Sequence, residues 1–455
     1  MKKIYFLFHS DGWQTIAEWF DKRLLVLFFI PFLVYMSNLR ELSSGDTTGT
    51  KFVAIFLVKS GTIYLDGIRD YFEYNDLPYF LSVRDGRVLS NYPVFPGIMA
   101  APFYAPFVWL GIIRPGEGNL VWDYISKITA STYTSLSALF LYLTLKRLLN
   151  IKAAFILAYA YAFGTAAWPI ASQSIWQHTG AIFWWSVCFY ATIRADQSGP
   201  SHRWRWLLLA GTAAGGTVLC RIVHLTSAGF YAVVVLWRYR KSAIAFLAPC
   251  GVFTGLLIVY NYTFFDTWNG GLAYVLADRW YLDRVEGGVW STPLFEGLAG
   301  VLISPSRGVF AFSPFLLFSL LGMFLIWKRS ENNWQTFKYL TPIPIGLLCV
   351  FGKYIVWWGG IMHYGPRYQV DAYPFLMLCL AAAWPEIEKR RWLMVLFACL
   401  LIYSIWVQWV GAFCFPGDWA VWPVSLSDDK ARLWSWNYNQ IWESFFNGVK
   451  PPLSQ

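Results

Sequence analysis

Long apolar runs recur along the chain with short basic clusters between them, the pattern of helices threaded repeatedly through a hydrocarbon layer. A crossing helix needs ~20 mostly apolar residues, which predicts spans at roughly 24–39, 126–145, 153–170, 179–194, 206–223, 226–237, 243–262, 309–327, 338–358, 369–385 and 393–413, about eleven in all. The first follows Asp21-Lys22-Arg23 with no small-residue cleavage pattern after it, so it reads as an uncleaved span. Counting crossings from a cytoplasmic amino terminus puts Lys146-Arg147, Lys152, Arg203, Arg205, Arg238 to Lys241, Lys328-Arg329 and Lys389 to Arg391 on one side, as the positive-inside rule requires. The count holds only if Gly97 to Ile113 does not cross. Pro96, Pro102, Pro106 and Pro115 suit an interfacial or re-entrant segment there.

The predicted fold is an all-α polytopic membrane protein whose outer side carries a large first loop, about 40–125, a second at about 263–308, and a tail at about 416–455. Phe52 to Leu65 is expected to form an interfacial helix. Asp85-Gly86, flanked by Phe80 to Arg84 and by Arg87 to Ser90, is a two-residue hairpin signal. Residues 1–415 then form the membrane module and 416–455 a short outer tail, with no internal repeat.

Composition agrees: 57% of residues are hydrophobic and 14% charged, which excludes a soluble enzyme. The net charge of +10 belongs to the orienting clusters and points to no nucleic-acid partner. Six of the seven cysteines lie inside apolar runs, so neither a disulfide framework nor a metal-binding cysteine set is expected.

Candidate chemistry lies in the outer loops. Asp46, in Ser43-Ser44-Gly45-Asp46-Thr47-Thr48, follows the first helix, where a partly desolvated carboxylate accepts a proton from a hydroxyl or amine. Within it, Ser44-Gly45-Asp46-Thr47 also reads as a turn and helix N-cap. Asp70, Glu73 and Asp76 read as a solvated face, the alternative being that one of them assists Asp46 or binds a divalent cation; no acid pair has metal-site spacing, so no cofactor is assigned. Trp176-Gln177-His178 precede the fourth span, as a ligand-contacting cluster or as aromatic belt and helix cap. Arg221, Arg307 and Arg367 are outer-face cations that the positive-inside rule disfavours. Three of them suggest a phosphate site, the alternative being structural pairing or lipid headgroups. Lys353, near the outer end of the ninth span, would neutralise a lipid phosphate or pair with a carboxylate. His363 is a lesser candidate near Arg367. No phosphate-binding loop, zincin motif or nucleophile elbow is present, so nothing supports ATP as an energy source.

Ser304-Pro305-Ser306-Arg307-Gly308, Phe312-Ser313-Pro314, Trp357-Trp358-Gly359-Gly360, Gly365-Pro366-Arg367-Tyr368 and Arg432-Leu433-Trp434 together resemble a subgroup of bacterial glycosyltransferases, and the first helix with its long outer loop and early Asp46 resembles the membrane-embedded C-type (GT-C fold) glycosyltransferase superfamily. Members of that superfamily include the protein O-mannosyltransferases and the lipid A aminoarabinose transferases. One departure is that Gly45-Asp46-Thr47 lacks the adjacent acid pair of some mannosyltransferases. The resemblance implies inverting transfer of a sugar from a polyprenyl phosphate carrier to a glycan, lipid or protein acceptor at the outer, periplasmic face of the cytoplasmic membrane. Asp46 would be the base, and Arg367, with Arg307, Arg221 or Lys353, would hold the departing phosphate. Trp176, Trp357 and Trp358 would stack on sugar faces, with Gln177, His178, His363 and Tyr368 also lining the site. The competing class is a lipid or polysaccharide transporter, which should show charged or broken helices near mid-membrane and paired halves; a non-catalytic assembly protein would tolerate loss of Asp46.

Overall fold

The computed structural model describes residues 22–71, 77–113, 120–277 and 288–449. Glu73, Asp76 and Pro115 lie outside the described residues. The chain is predominantly helical: α1 Lys22–Met36, α2 Gly45–Ser60, α3 Phe95–Trp109, α4 Leu120–Leu145, α5 Ile151–Gly164, α6 Gln177–Gln197, α7 Pro200–Cys220, α8 His224–Tyr239, α9 Ile244–Phe265, α10 Leu272–Ala277 and α11 Leu294–Ile303. There follow α12 Pro314–Lys328, α13 Asn332–Lys338, α14 Pro342–Lys353, α15 Tyr373–Lys389, α16 Arg391–Phe413 and α17 Gln440–Asn447. Among the described residues four stretches are long and apolar enough to cross a membrane: Leu120–Leu145, His224–Phe265, Tyr368–Lys389 and Arg391–Phe413. The second of these breaks at Arg240, whose φ of 49° ends α8 within the basic cluster Arg238 to Lys241, where the sequence separates two spans.

Close helix contacts come from small residues, as expected where lipid supplies no hydrophobic drive between helices. A Cβ on Gly211 of α7 would sit 2.1 Å from the Phe246 carbonyl oxygen of α9, and one on Gly322 of α12 would sit 1.7 Å from that of Cys379 on α15. Between these approaches an aromatic core forms, in which Phe375 meets Trp185 and Phe189, each with ring centroids 4.9 Å apart.

The bundle has two chemically distinct ends. Helix α6 carries His178 in its first turn and Asp196 in its last, about 27 Å apart at 1.5 Å per residue, close to the ~30 Å hydrocarbon thickness. At the Asp196 end the predicted basic clusters converge: Arg238 pairs with Asp196 at 2.9 Å, Asn333 Nδ2 donates to the Arg147 carbonyl at 3.2 Å, and Arg329 donates to the Ala382 carbonyl at 2.8 Å.

The opposite end is roofed by the first loop. Helix α2 begins at Gly45, seven residues before the apolar run that predicted it, because Ser44 and Thr47 form a capping box. It ends at Gly61, in the left-handed region at φ 65°. Helix α3 passes through Pro102 and Pro106 without interruption and packs on α2, with Val53, Tyr104, Trp122 and Ile175 in a second apolar core. Strands β1 Leu81–Arg84 and β2 Arg87–Ser90 pair antiparallel, Leu81 opposite Ser90. Asp85 and Gly86 turn between them at φ 48° and 75°, the left-handed pair of a type I′ hairpin.

Candidate active site

Asp46 stands in the first turn of α2, where the helix dipole favours a carboxylate, and its backbone N–H donates to the Ser44 cap. The turn-and-cap reading describes the backbone here, with Ser44 as the cap, and the Asp46 side chain points to other partners. Its Oδ1 accepts hydrogen bonds from Tyr79 Oη at 2.8 Å and Tyr92 Oη at 2.7 Å, and its Oδ2 is ion-paired with Arg367. The hairpin delivers the phenols: Tyr79 precedes β1 and Tyr92 follows β2. Burial disfavours charge on Arg367, but the Asp46 carboxylate outweighs it and raises the guanidinium pKa above its ordinary value. Arg367 also lies 4.4 Å from the Trp176 ring centroid, a cation–π contact, and its buried Nε has no hydrogen-bond partner.

A second pair stands beside the first. Asp371, fully buried, pairs with Arg221, receives His178 Nδ1 at 2.8 Å, and has His224 Nε2 at 3.4 Å. The Tyr368 ring lies between the two guanidinium groups, 5.6 Å from that of Arg367 and 5.3 Å from that of Arg221.

Asp46, Arg367 and Arg221 face one cavity enclosing about 1160 Å³, counting its open mouth, with Asp371 behind Arg221. Asp46, Tyr92, Trp176, His178, Arg221, Arg367 and Tyr368 form its polar side, joined by Gln177. Leu257, Phe265, Leu272, Val275, Val350 and Phe351 form a mostly apolar wall from α9, α10 and α14, interrupted by Tyr260 and Asn261 of α9. Among the described residues no group of three or more His, Cys, Asp or Glu side chains is arranged to hold a metal ion.

The loop that leads into Asp46 is pinned from below. Lys51 Nζ bridges Glu41 Oε2 at 2.8 Å and Asp123 Oδ1 at 2.7 Å, Ser174 donates to Glu41 at 2.6 Å, and Asn38 and Lys127 both donate to Gln173 Oε1. Burial lowers the Lys51 pKa, yet Glu41 and then Asp123 outweigh it and leave it raised, so the ammonium stays charged.

The remaining sequence candidates lie elsewhere. Arg307 is fully buried, bonded to Gln440 Oε1 and 5.2 Å from the Trp419 ring, against the tail. Trp357 meets Trp434 of the tail at 6.2 Å, and Trp358 lies under Lys430 at 5.2 Å. The carbonyl of buried His363 accepts from Gln440 at 2.9 Å, and Lys353 is exposed at the end of α14. None of these five lines the cavity. Asp371, Tyr79 and Tyr92 are the polar groups that sequence reasoning missed. A carboxylate within the tenth apolar span was the available signal for Asp371, since ionisable groups at membrane depth are rarely idle. Nothing local marks the two phenols.

No family model matches the chain. No curated protein matches it either. Solved structures do: the oligosaccharyltransferase of Archaeoglobus fulgidus, in a crystal structure tethered with an acceptor peptide containing the NVT sequon via a disulfide bond, aligns over 87% of this chain and 55% of its own, with TM-score 0.53 and 14% identity. A crystal structure of the same protein in complex with Zn and sulfate covers 85% of this chain and 52% of its own, with TM-score 0.53 and 13% identity. At such identity the likeness concerns the fold, and this chain spans about half the length of those structures. This chain shares its fold with the aligned part of that archaeal oligosaccharyltransferase.

Proposed function

We propose that the protein is a glycosyltransferase that moves a sugar from a polyprenyl-phosphate-linked donor to an acceptor at the outer face of the membrane, with inversion at the anomeric carbon. The observation that carries the proposal is the contact of Asp46 with Arg367 at the polar side of a cavity whose other side is apolar. The isoprenoid lies along the apolar wall, and its phosphate reaches Arg367 and Arg221. Arginine's planar fork suits phosphate oxygens, and low dielectric strengthens the pairing.

Asp46 accepts from Tyr79, Tyr92 and Arg367, contacts that favour its carboxylate form over the protonated one. Donor binding changes that. The phosphate competes for Arg367, the sugar ring enters between guanidinium and carboxylate, and Asp46 keeps the two phenols that orient it. The acceptor hydroxyl or amine then gives its proton to Asp46 as its oxygen or nitrogen attacks C1 from the face opposite the phosphate. The C1–O bond breaks, and its electrons leave with the polyprenyl phosphate, whose growing charge Arg367 and Arg221 stabilise. Asp371 keeps Arg221 in place.

A transporter reading draws less support, because the two charged pairs gather at one end of the bundle rather than midway along α6 and α15. The test is transfer from polyprenyl-phosphate sugars by purified protein in lipid, with the product anomer read by NMR. An inverted product, absent with Asp46→Asn, is the expected result; wild-type turnover by Asp46→Asn would rule out Asp46 as base.

A further inference from the structure

Beyond the membrane bundle, the chain after α16 folds back into a second cleft. It encloses about 1600 Å³ counting its open mouth. Trp419 is buried in its lining, while Trp422 and Tyr438 are 72% and 66% exposed. Asp418, Asp429, Glu443 and Asn447 supply its polar groups. Among the described residues none of the three carboxylates has an ion-pair partner. The cation of the cleft, Arg432, is turned inward, with its Nη2 donating to the Trp419 and Trp422 carbonyls at 2.8 and 3.0 Å and its Nη1 to that of Val424.

Flat aromatic faces beside hydrogen-bond acceptors match a sugar ring, whose apolar C–H face stacks while its hydroxyls donate outward. Three carboxylates against the single guanidinium of Arg432 leave the lining net negative, which opposes an anionic ligand. The cleft is also coupled to the cavity. Gln440 of α17 donates to the His363 carbonyl at 2.9 Å and accepts from the Gly365 N–H at 2.7 Å, two residues before Arg367, while Trp434 and Lys430 pack on Trp357 and Trp358.

We infer that the tail cleft is a saccharide-binding site for an uncharged glycan, and that it holds the acceptor chain while its end reaches Asp46. The acceptor role rests on the glycosyltransferase reading above; the binding itself does not. Full-length protein in detergent is titrated with cellotetraose, chitotetraose and, as acidic control, trigalacturonate, by calorimetry and tryptophan fluorescence. Saturable binding of at least one neutral oligosaccharide is expected, with the acidic one about tenfold weaker or worse. Trp422→Ala and Tyr438→Ala should each weaken binding about tenfold with unchanged melting, and Trp422→Phe should restore part of it. Absence of saturable binding by either neutral probe, or equal binding by Trp422→Ala, overturns the inference. So does Trp422→Ala losing affinity only for lipid vesicles, which would assign the exposed rings to the membrane surface. Asp46→Asn should bind the oligosaccharide normally, so a fully active Asp46→Asn that still binds would refute the base assignment and leave the cleft standing.

Discussion

Each end of the bundle holds a buried carboxylate–guanidinium pair, and the two are built differently. At the basic end Asp196 is closed in: Oδ1 accepts from Arg238 Nε at 3.1 Å, Arg238 Nη2 at 2.9 Å and Tyr239 at 2.9 Å, and Oδ2 from Thr336 at 2.8 Å. These partners come from α6, α8 and α13, so the pair is a clasp for three helix ends. At the other end Asp46 and Arg367 border a cavity, and Arg367 Nε has no partner. An ion pair alone is weak evidence of function. Space beside the pair, with a donor left over, separates a site from a clasp.

Variants at the two ends should therefore fail in different ways. Arg367→Ala is expected to raise the KM for donor and lower kcat/KM by ~10²–10³-fold, the scale of a lost charge-stabilising donor, with Arg367→Lys recovering only part because it loses the fork. Steady-state transfer at varied donor concentration checks this. Asp196→Ala should instead cost about 3–5 kcal/mol of stability by stranding Arg238, while the folded fraction keeps its specific activity; thermal melting beside activity per folded molecule separates the two. Tyr92→Phe, which removes one hydrogen bond to a carboxylate, should slow transfer by about tenfold with donor affinity unchanged, measured by single-turnover kinetics.

The smallest expected effect concerns His363. Burial, then Arg307 and Arg367, hold its pKa well below the ordinary histidine value, so the folded protein keeps it neutral while the unfolded chain takes up a proton below about pH 6.5. Its contribution is present above that pH and fades as pH falls toward the depressed folded value. His363→Gln should flatten the loss of melting temperature between about pH 6.5 and 5, by at most one proton's slope, about 1.4 kcal/mol per pH unit. An unchanged slope would show that His363 is already charged when folded.

Much of the helical framework is legible in the sequence because lipid imposes a long apolar run and loops carry the charge. The break between α8 and α9 shows as Arg238 to Lys241, and the hairpin as Asp85-Gly86. The start of α2 shows less clearly, since an apolar run reports the buried face while Ser44 and Thr47 set the terminus. At the site, Asp46, Arg367, Arg221, Trp176, Gln177, His178 and Tyr368 come together from loops far apart in sequence. Trp357, Trp358 and His363 stand near Arg367 in sequence yet pack against the tail, because neighbouring residues on a loop point in different directions, and Arg307, on another loop, is drawn to Gln440 of the tail. Tyr79 and Tyr92 are ordinary hairpin aromatics until the first loop folds over α2, and only then do their hydroxyls meet the carboxylate.

The most direct test is a cryo-electron microscopy structure of the protein with a polyprenyl phosphate bound. The account predicts phosphate oxygens on the Arg367 guanidinium, Asp46 released from it and still held by Tyr79 and Tyr92, and the isoprenoid along the wall of Leu257, Phe265 and Val275. A phosphate seated away from Arg367, with the Asp46–Arg367 pair still closed, would contradict it.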